Sequence, residues 1–222
     1  MIKLIIQTLG TFLLGAFLLG LLLFLPAGTF NYWQAWVFIV VFMISVSIIG
    51  VYLSLKDPAL LERRKNIGPA AEQSRVQKII ISIAILADLG LLVFCALDYR
   101  YGWSPVPPYV SLIGDVLVAL GLCIDLLVFK ENSSNITVEE GQRVISTGPY
   151  ALVRHPMYAG VLVMVTGIPL ALCSWWGLAF LALAVPGLAW RIMDEEKLLK
   201  KDLPGYMEYT RKVRYRLVPY IW

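Results

Sequence analysis

Leu4–Leu25 carries no charged side chain over a length sufficient to cross a bilayer. A hydrocarbon core about 30 Å thick takes roughly 20 helical residues, and inside it a backbone must satisfy its own hydrogen bonds, which a helix does. Similar runs follow at Trp33–Leu53, Ile79–Leu97 and Tyr109–Phe129. A last apolar region, Met157–Trp190, is interrupted by Ser174-Trp175-Trp176-Gly177, which reads as the tip of a helical hairpin. The first run exceeds the ~7–15 apolar residues of a signal peptide, and Pro26-Ala27-Gly28-Thr29 is a poor cleavage site, so the run reads as a retained anchor. With 59% hydrophobic and 15% charged residues, the chain departs from the roughly 45–50% and 25% of soluble domains, which excludes a soluble or disordered protein. Cys95, Cys123 and Cys173 all fall in apolar runs, where thiols behave as small hydrophobes, so neither a disulfide framework nor a zinc site is indicated.

The expected architecture is an all-α integral membrane protein with about six transmembrane helices. Residues 1–129 form a four-helix transmembrane region with a basic cytosolic loop at 54–78, and residues 130–222 form a second region of polar loop, helical hairpin and C-terminal tail. With the N-terminus inside, only Arg100 of the 19 Lys and Arg residues lies outside, as the positive-inside rule requires. The net charge of +4 therefore reports topology and attraction to anionic lipid headgroups. Basic residues spread over separate membrane-facing loops do not point to nucleic acid.

Chemistry is concentrated in the second region, which holds the one His of the chain. Pro156 suits the first turn of a helix, placing Arg154 and His155 at its mouth, where free N–H groups and the helix dipole favour an anion. Taken singly, Arg154 reads as a snorkelling anchor and His155 as an interfacial polar residue. The combined string Gly-Pro-Tyr-x-x-x-Arg-His-Pro-x-Tyr favours a site. Arg191 and Glu195 are four apart and share a helix face, as an ordinary surface pair also would. In the tail, Tyr206, Tyr209 or Thr210, Val213 and Leu217 form a helical stripe, which fits a basic amphipathic helix on the membrane surface, a lid over a ligand, or both. Asp88, Asp115 and Asp125 sit inside apolar spans, where ionisable groups are functional candidates; with no basic partner in those spans, a structural role is preferred to a transport relay.

Thr147-Gly-Pro-Tyr150-Ala-Leu-Val-Arg154-His155-Pro156-Met-Tyr158, then Arg191…Glu195-Glu196-x-x-Leu199, Tyr206-x-x-Tyr209 and Val213…Pro219, resembles the isoprenylcysteine carboxyl methyltransferase family, integral-membrane enzymes related to phospholipid N-methyltransferases. The resemblance covers about residues 130–222 closely and the N-terminal spans only in hydropathy. It implies S-adenosylmethionine as cofactor, with Gln142, Arg143, Val144, Ile145, Tyr150, His155, Pro156, Met157, Tyr158 and Glu195 lining its site. It also implies Arg191 beside the carboxylate of a lipophilic or prenylated acceptor, His155 as a second catalytic candidate, and Tyr206 and Tyr209 in a lid. Eukaryotic members often carry His where this chain has Gln142, and Asp202-Leu-Pro-Gly before Tyr206 is shorter than the family pattern. The Arg-His-Pro-x-Tyr half of the motif also resembles membrane sterol reductases, which use NADPH, whereas the Glu-Glu and tail patterns favour the methyltransferases.

An acceptor carboxylate with a reference pKa near 4 is already ionised at neutral pH and needs no general base. An amine acceptor would have to lose a proton, with His155 or Glu196 as candidates. Neither chemistry calls for a metal. The expectations are a methyltransferase with its site at the cytosolic face and both termini cytoplasmic, with phospholipid or small-amine N-methylation, NADPH-dependent reduction and membrane transport as alternatives.

Overall fold

The computed structural model describes residues 2–56, 68, 70, 74–129 and 144–222; for 2–9 and 11 the helical backbone alone is described. Most of the basic loop at 54–78 and the polar stretch 130–143 therefore lie outside the described residues. The described residues are mostly helical, with turns and irregular segments between the helices and no strand among them. Among the described residues seven α-helices follow in chain order: α1 Ile2–Ala27, α2 Trp33–Lys56, α3 Arg75–Tyr101, α4 Pro108–Phe129, α5 Pro156–Ala171, α6 Leu181–Asp202 and α7 Tyr206–Lys212. Short 3-10 turns at Gly148–Ala151 and Trp176–Phe180 precede α5 and α6.

Among the described residues four helical segments, Trp33–Lys56, Arg75–Tyr101, Pro108–Val128 and Trp176–Asp202, are long and apolar enough to cross a membrane. Pro156–Ala171 is a shorter apolar helix, and Phe12–Ala27 is the apolar part of α1 whose side chains are all described. Residues 176–190 of the last segment are uncharged, and the charged turns from Arg191 onward extend past that apolar stretch. Large apolar side chains such as Phe17, Ile44, Leu86 and Val116 point away from the bundle, as a lipid-facing surface requires. Leu23, Phe38, Leu91, Val118 and Leu172 form its interior.

Among the described helices α4 and α5 pack most extensively, and their closeness depends on glycine. A Cβ on Gly114 would lie 2.0 Å from the backbone nitrogen of Ala171, and one on Gly121 would lie 2.6 Å from the Gly160 carbonyl oxygen. In an apolar solvent the hydrophobic effect does not drive helices together, so backbone approach through small residues supplies the packing. This contact anchors the start of α5.

Side-chain bonds sort the loops into two ends. At one end the Tyr32 hydroxyl donates to the Leu172 carbonyl at 2.6 Å, Tyr99 donates to the Asn31 carbonyl, and Asp98 accepts from Ser174 and from Ser104. That end gathers the α1–α2 turn, the α3–α4 connector and the segment after α5. At the other end, Gln77 at the start of α3 meets Arg191 and Asp194 of α6, and the start of α5 meets Glu196.

The expected tail helix is shorter than its apolar stripe suggested. It ends at Lys212, and Val213–Trp222 turns back without helical structure. Leu217 is therefore not on the face of Tyr206 and Tyr209; it packs with Tyr158 and Ile192 instead. The backbone N–H groups of Arg154 and His155 donate to the carbonyls of Tyr215 and Arg216, both at 2.9 Å, and these bonds hold the returning segment in a conformation incompatible with a helix.

Candidate active site

Pro156 occupies the first turn of α5 with His155 in the capping position, so the Arg-His-Pro segment sits at a helix mouth. Two polar networks meet there. In the first, Glu196 of α6 is nearly fully buried and ringed by positive or protonatable groups. Arg154 Nε lies 2.8 Å from Glu196 Oε1 as an ion pair without hydrogen-bond alignment, His155 Nε2 lies 3.5 Å from the same oxygen, and Arg216 Nε donates to Oε2 at 3.2 Å. Burial raises the Glu196 carboxyl, but the adjoining His155 ring and the Arg154 and Arg216 guanidiniums outweigh it and hold the group at about 2.

The second network runs through Tyr158, in the first turn of α5. Its hydroxyl donates to Glu195 Oε2 at 2.8 Å and accepts from Arg191 Nε at 2.7 Å. Arg191 and Glu195 thus share a helix face as their spacing suggested, and the Tyr158 hydroxyl bridges them. The Tyr158 ring lies beside the Arg191 guanidinium at 5.7 Å and stacks with the His155 imidazole, centroids also 5.7 Å apart. His155 Nδ1 lies 3.8 Å from Glu195 Oε2, which links the two networks.

The tail tyrosines close one side. Tyr206 and Tyr209 are buried with Leu203 and Val213, and Val144 and Leu199 pack against them. The Tyr209 hydroxyl donates to the Tyr150 carbonyl at 2.8 Å, tying the tail to the 3-10 turn before α5. The buried Tyr206 hydroxyl has no hydrogen-bond partner among the described residues. Burial pushes both phenols above their ordinary range, so both remain neutral donors at physiological pH.

Of the residues singled out from sequence, Tyr150, His155, Tyr158, Arg191, Glu195, Tyr206 and Tyr209 lie within these networks or their tyrosine border. Val144 joins the tyrosine cluster, while Met157 packs against the Tyr158–Ile192–Leu217 group. Pro156 is buried and Ile145 half-buried. Gln142 and Arg143 lie outside the described residues. Arg154 is not a snorkelling anchor: it is buried and paired with Glu196. Sequence reasoning missed Gln77 and Arg216, which reach the site from α3 and from the returning tail; one polar residue in a polar stretch carries no periodic signal. Among the intramembrane carboxylates, Asp115 and Asp125 are buried and Asp88 is exposed on α3, so Asp88 does not line the bundle interior. No cluster of three or more His, Cys, Asp or Glu residues arranged to hold a metal occurs among the described residues.

Residues 110–203 match the model of the phospholipid methyltransferase family. The chain is also similar to the Delta(14)-sterol reductase TM7SF2 of Mus musculus, 32% identical over 93 residues that make up 39% of this chain and 22% of that protein. It therefore spans about a fifth of the length of that curated relative. The match takes in most of α4 and all of α5 and α6, including Arg154, His155, Tyr158, Arg191 and Glu195, so this part of the chain is similar to the phospholipid methyltransferase family.

Proposed function

We propose that the protein is an S-adenosylmethionine-dependent methyltransferase acting on a lipophilic acceptor, with a carboxylate as the group methylated. The observation that carries this reading is the Arg191–Tyr158–Glu195 bridge, which sets a guanidinium and a carboxylate on opposite sides of one phenol at the mouth of α5. The chain's own groups fit the cofactor. The Tyr206 hydroxyl, without a partner among the described residues, is a donor suited to an acceptor on the cofactor, the His155 and Tyr158 rings offer π faces to a sulfonium, and Glu195 suits ribose hydroxyls or an α-amino group. When bound, S-adenosylmethionine supplies an electrophilic methyl group.

The remaining work belongs to the protein. Displacement at a methyl carbon needs the nucleophile in line and water excluded. Arg191 presents N–H groups suited to a carboxylate, which it would orient by charge-assisted hydrogen bonds. Glu196 stays ionised under its cations and holds Arg154 and His155 at the helix mouth. Tyr209, bonded to the Tyr150 carbonyl, keeps the tail against the site. An ionised carboxylate requires no proton removal, so the arrangement works without a general base.

Calorimetric titration of the purified protein with S-adenosylmethionine and S-adenosylhomocysteine tests the cofactor, with saturable binding expected. Labelled methyl transfer to an S-prenylated N-acetylcysteine, compared with phosphatidylethanolamine vesicles, tests the acceptor. Transfer only to the amine lipid would replace O- with N-methylation, and no binding of either compound would sink the reading.

The similarity to a sterol reductase favours one second reading, an NADPH-dependent reductase. Saturable quenching of NADPH fluorescence, together with no binding of S-adenosylhomocysteine, would select it.

A further inference from the structure

We infer that Gln77, from the N-terminal half of the chain, is a positioning residue for Arg191 and so for the acceptor. This rests on the reading of Arg191 as the group that binds the acceptor carboxylate. Gln77 is 1% exposed, a burial that costs free energy unless both ends of its amide are bonded. Both ends are. Its Oε1 accepts from Arg191 Nη1 at 2.8 Å, and its Nε2 donates to Asp194 Oδ2 at 2.5 Å. The network settles the amide orientation, because a flipped amide would set N–H against N–H at Arg191 and oxygen against oxygen at Asp194.

The Arg191 guanidinium is thereby gripped from two directions. Tyr158 of α5 holds Nε, and Gln77 of α3 holds Nη1. Asp194, nearly one turn beyond Arg191 on α6, fixes the far end of the Gln77 amide, so the grip is referred back to the helix that carries the arginine. A guanidinium on a flexible stem becomes a directional anchor only when its rotations are removed before the ligand arrives. The chemistry at position 77 also suits an anionic acceptor. A neutral amide orients the guanidinium, whereas a carboxylate there would compete with the acceptor for it and would repel Asp194.

The test uses the full-length protein in nanodiscs with Gln77→Leu, which keeps the bulk, and Gln77→Glu, which keeps one acceptor. Nitrogen-15 NMR of the Arg191 Nε–H, assigned by its loss in Arg191→Lys, reads the grip without any acceptor. A shifted or broadened resonance is expected in Gln77→Leu, and an unchanged one would overturn the inference. Methyl transfer to S-farnesyl-N-acetylcysteine reads the consequence. In both variants kcat/KM for the acceptor should fall at least tenfold, with the larger rise in acceptor KM in Gln77→Glu, while S-adenosylhomocysteine affinity stays within twofold. Equal losses of donor affinity and acceptor kcat/KM would mark Gln77 as a general structural residue and overturn the proposal. If the wild type binds the donor but does not methylate this probe, the acceptor assignment fails and the NMR result alone decides the role of Gln77. If Gln77→Leu does not fold, Gln77→Glu carries both measurements.

Discussion

The Arg154 guanidinium lies 2.8 Å from the Glu196 carboxylate, with side-chain exposures of 7% and 3%. A pair this buried does little for net stability compared with apolar packing, but losing one partner strands the other charge. Glu196→Gln should therefore destabilise the protein by about 3–5 kcal/mol, the usual range for breaking a buried pair. Thermal unfolding in detergent, followed by tryptophan fluorescence, checks this; an unchanged midpoint would show that Arg154 finds water or another partner at little cost.

The same carboxylate gives the protein an acid-sensitive element. Its folded value of about 2 lies below the ordinary 4.5, so the ionised form is the one the fold favours. The stability it contributes is fully present above the ordinary value and is lost as pH falls from about 4.5 toward about 2. Unfolding rates of the wild type should climb across that window, and those of Glu196→Gln should climb less. Parallel profiles would show that other groups govern the acid limb.

Hydropathy makes the spans legible because partitioning into hydrocarbon is nearly a sum over residues, and Pro156 marks a helix start because its ring fits the first turn and its missing N–H costs nothing there. The Arg-His-Pro-x-Tyr string and the Arg191/Glu195 spacing likewise locate groups that the fold brings together. What could not be read is what depends on partners distant in the chain. The stripe through Val213 to Leu217 has helical period, yet the carbonyls of Tyr215 and Arg216 are claimed by the N–H groups of Arg154 and His155, and pairing across the chain overrides local propensity. Taken singly, Arg154 reads as an interfacial cation, because sequence does not show that Glu196 folds against it. Gln77 was silent for the same reason.

Arg191 should separate acceptor handling from donor handling. Arg191→Ala removes the guanidinium and leaves the Tyr158 hydroxyl with Glu195 alone, whereas Arg191→Lys keeps a charge but loses the planar fork. On the proposed function, kcat/KM for a prenylated carboxylate should drop by roughly 100-fold in the alanine variant, in line with the ~2–5 kcal/mol lost on truncating one partner of a buried charge pair, and lysine should recover only part of it. Calorimetry should find donor affinity changed far less. Equal loss in both would place Arg191 in the cofactor site.

Tyr209→Phe deletes the bond to the Tyr150 carbonyl while leaving the ring in its cluster with Leu203 and Val213. A neutral hydrogen bond of this kind contributes about 0.5–1.5 kcal/mol. The global unfolding midpoint should move little, but the tail should open more often. Limited proteolysis after Lys212 and Arg214 should therefore accelerate, and saturating S-adenosylhomocysteine should slow it if the tail borders the donor site. Equal cleavage of wild type and variant would remove Tyr209 from any lid role.

The close contact of α4 with α5 carries the site. A Cβ at Gly121 would meet the Gly160 carbonyl oxygen at 2.6 Å, and a backbone atom cannot rotate away as a side chain can. Gly121→Ala must therefore push α4 and α5 apart, an overpacking cost of about 1–3 kcal/mol. Because α5 carries Tyr158 on its first turn and starts from His155, the displacement should also lower donor affinity, although Gly121 touches neither residue. Gly187→Ala is the matched control: nothing lies within 4 Å of the added carbon, and replacing a helical glycine should be neutral or stabilising by up to about 1 kcal/mol. Unfolding midpoints and S-adenosylhomocysteine titrations on the two variants should diverge. If both behave like wild type, the helices are looser than their glycines imply and the site does not depend on their close approach.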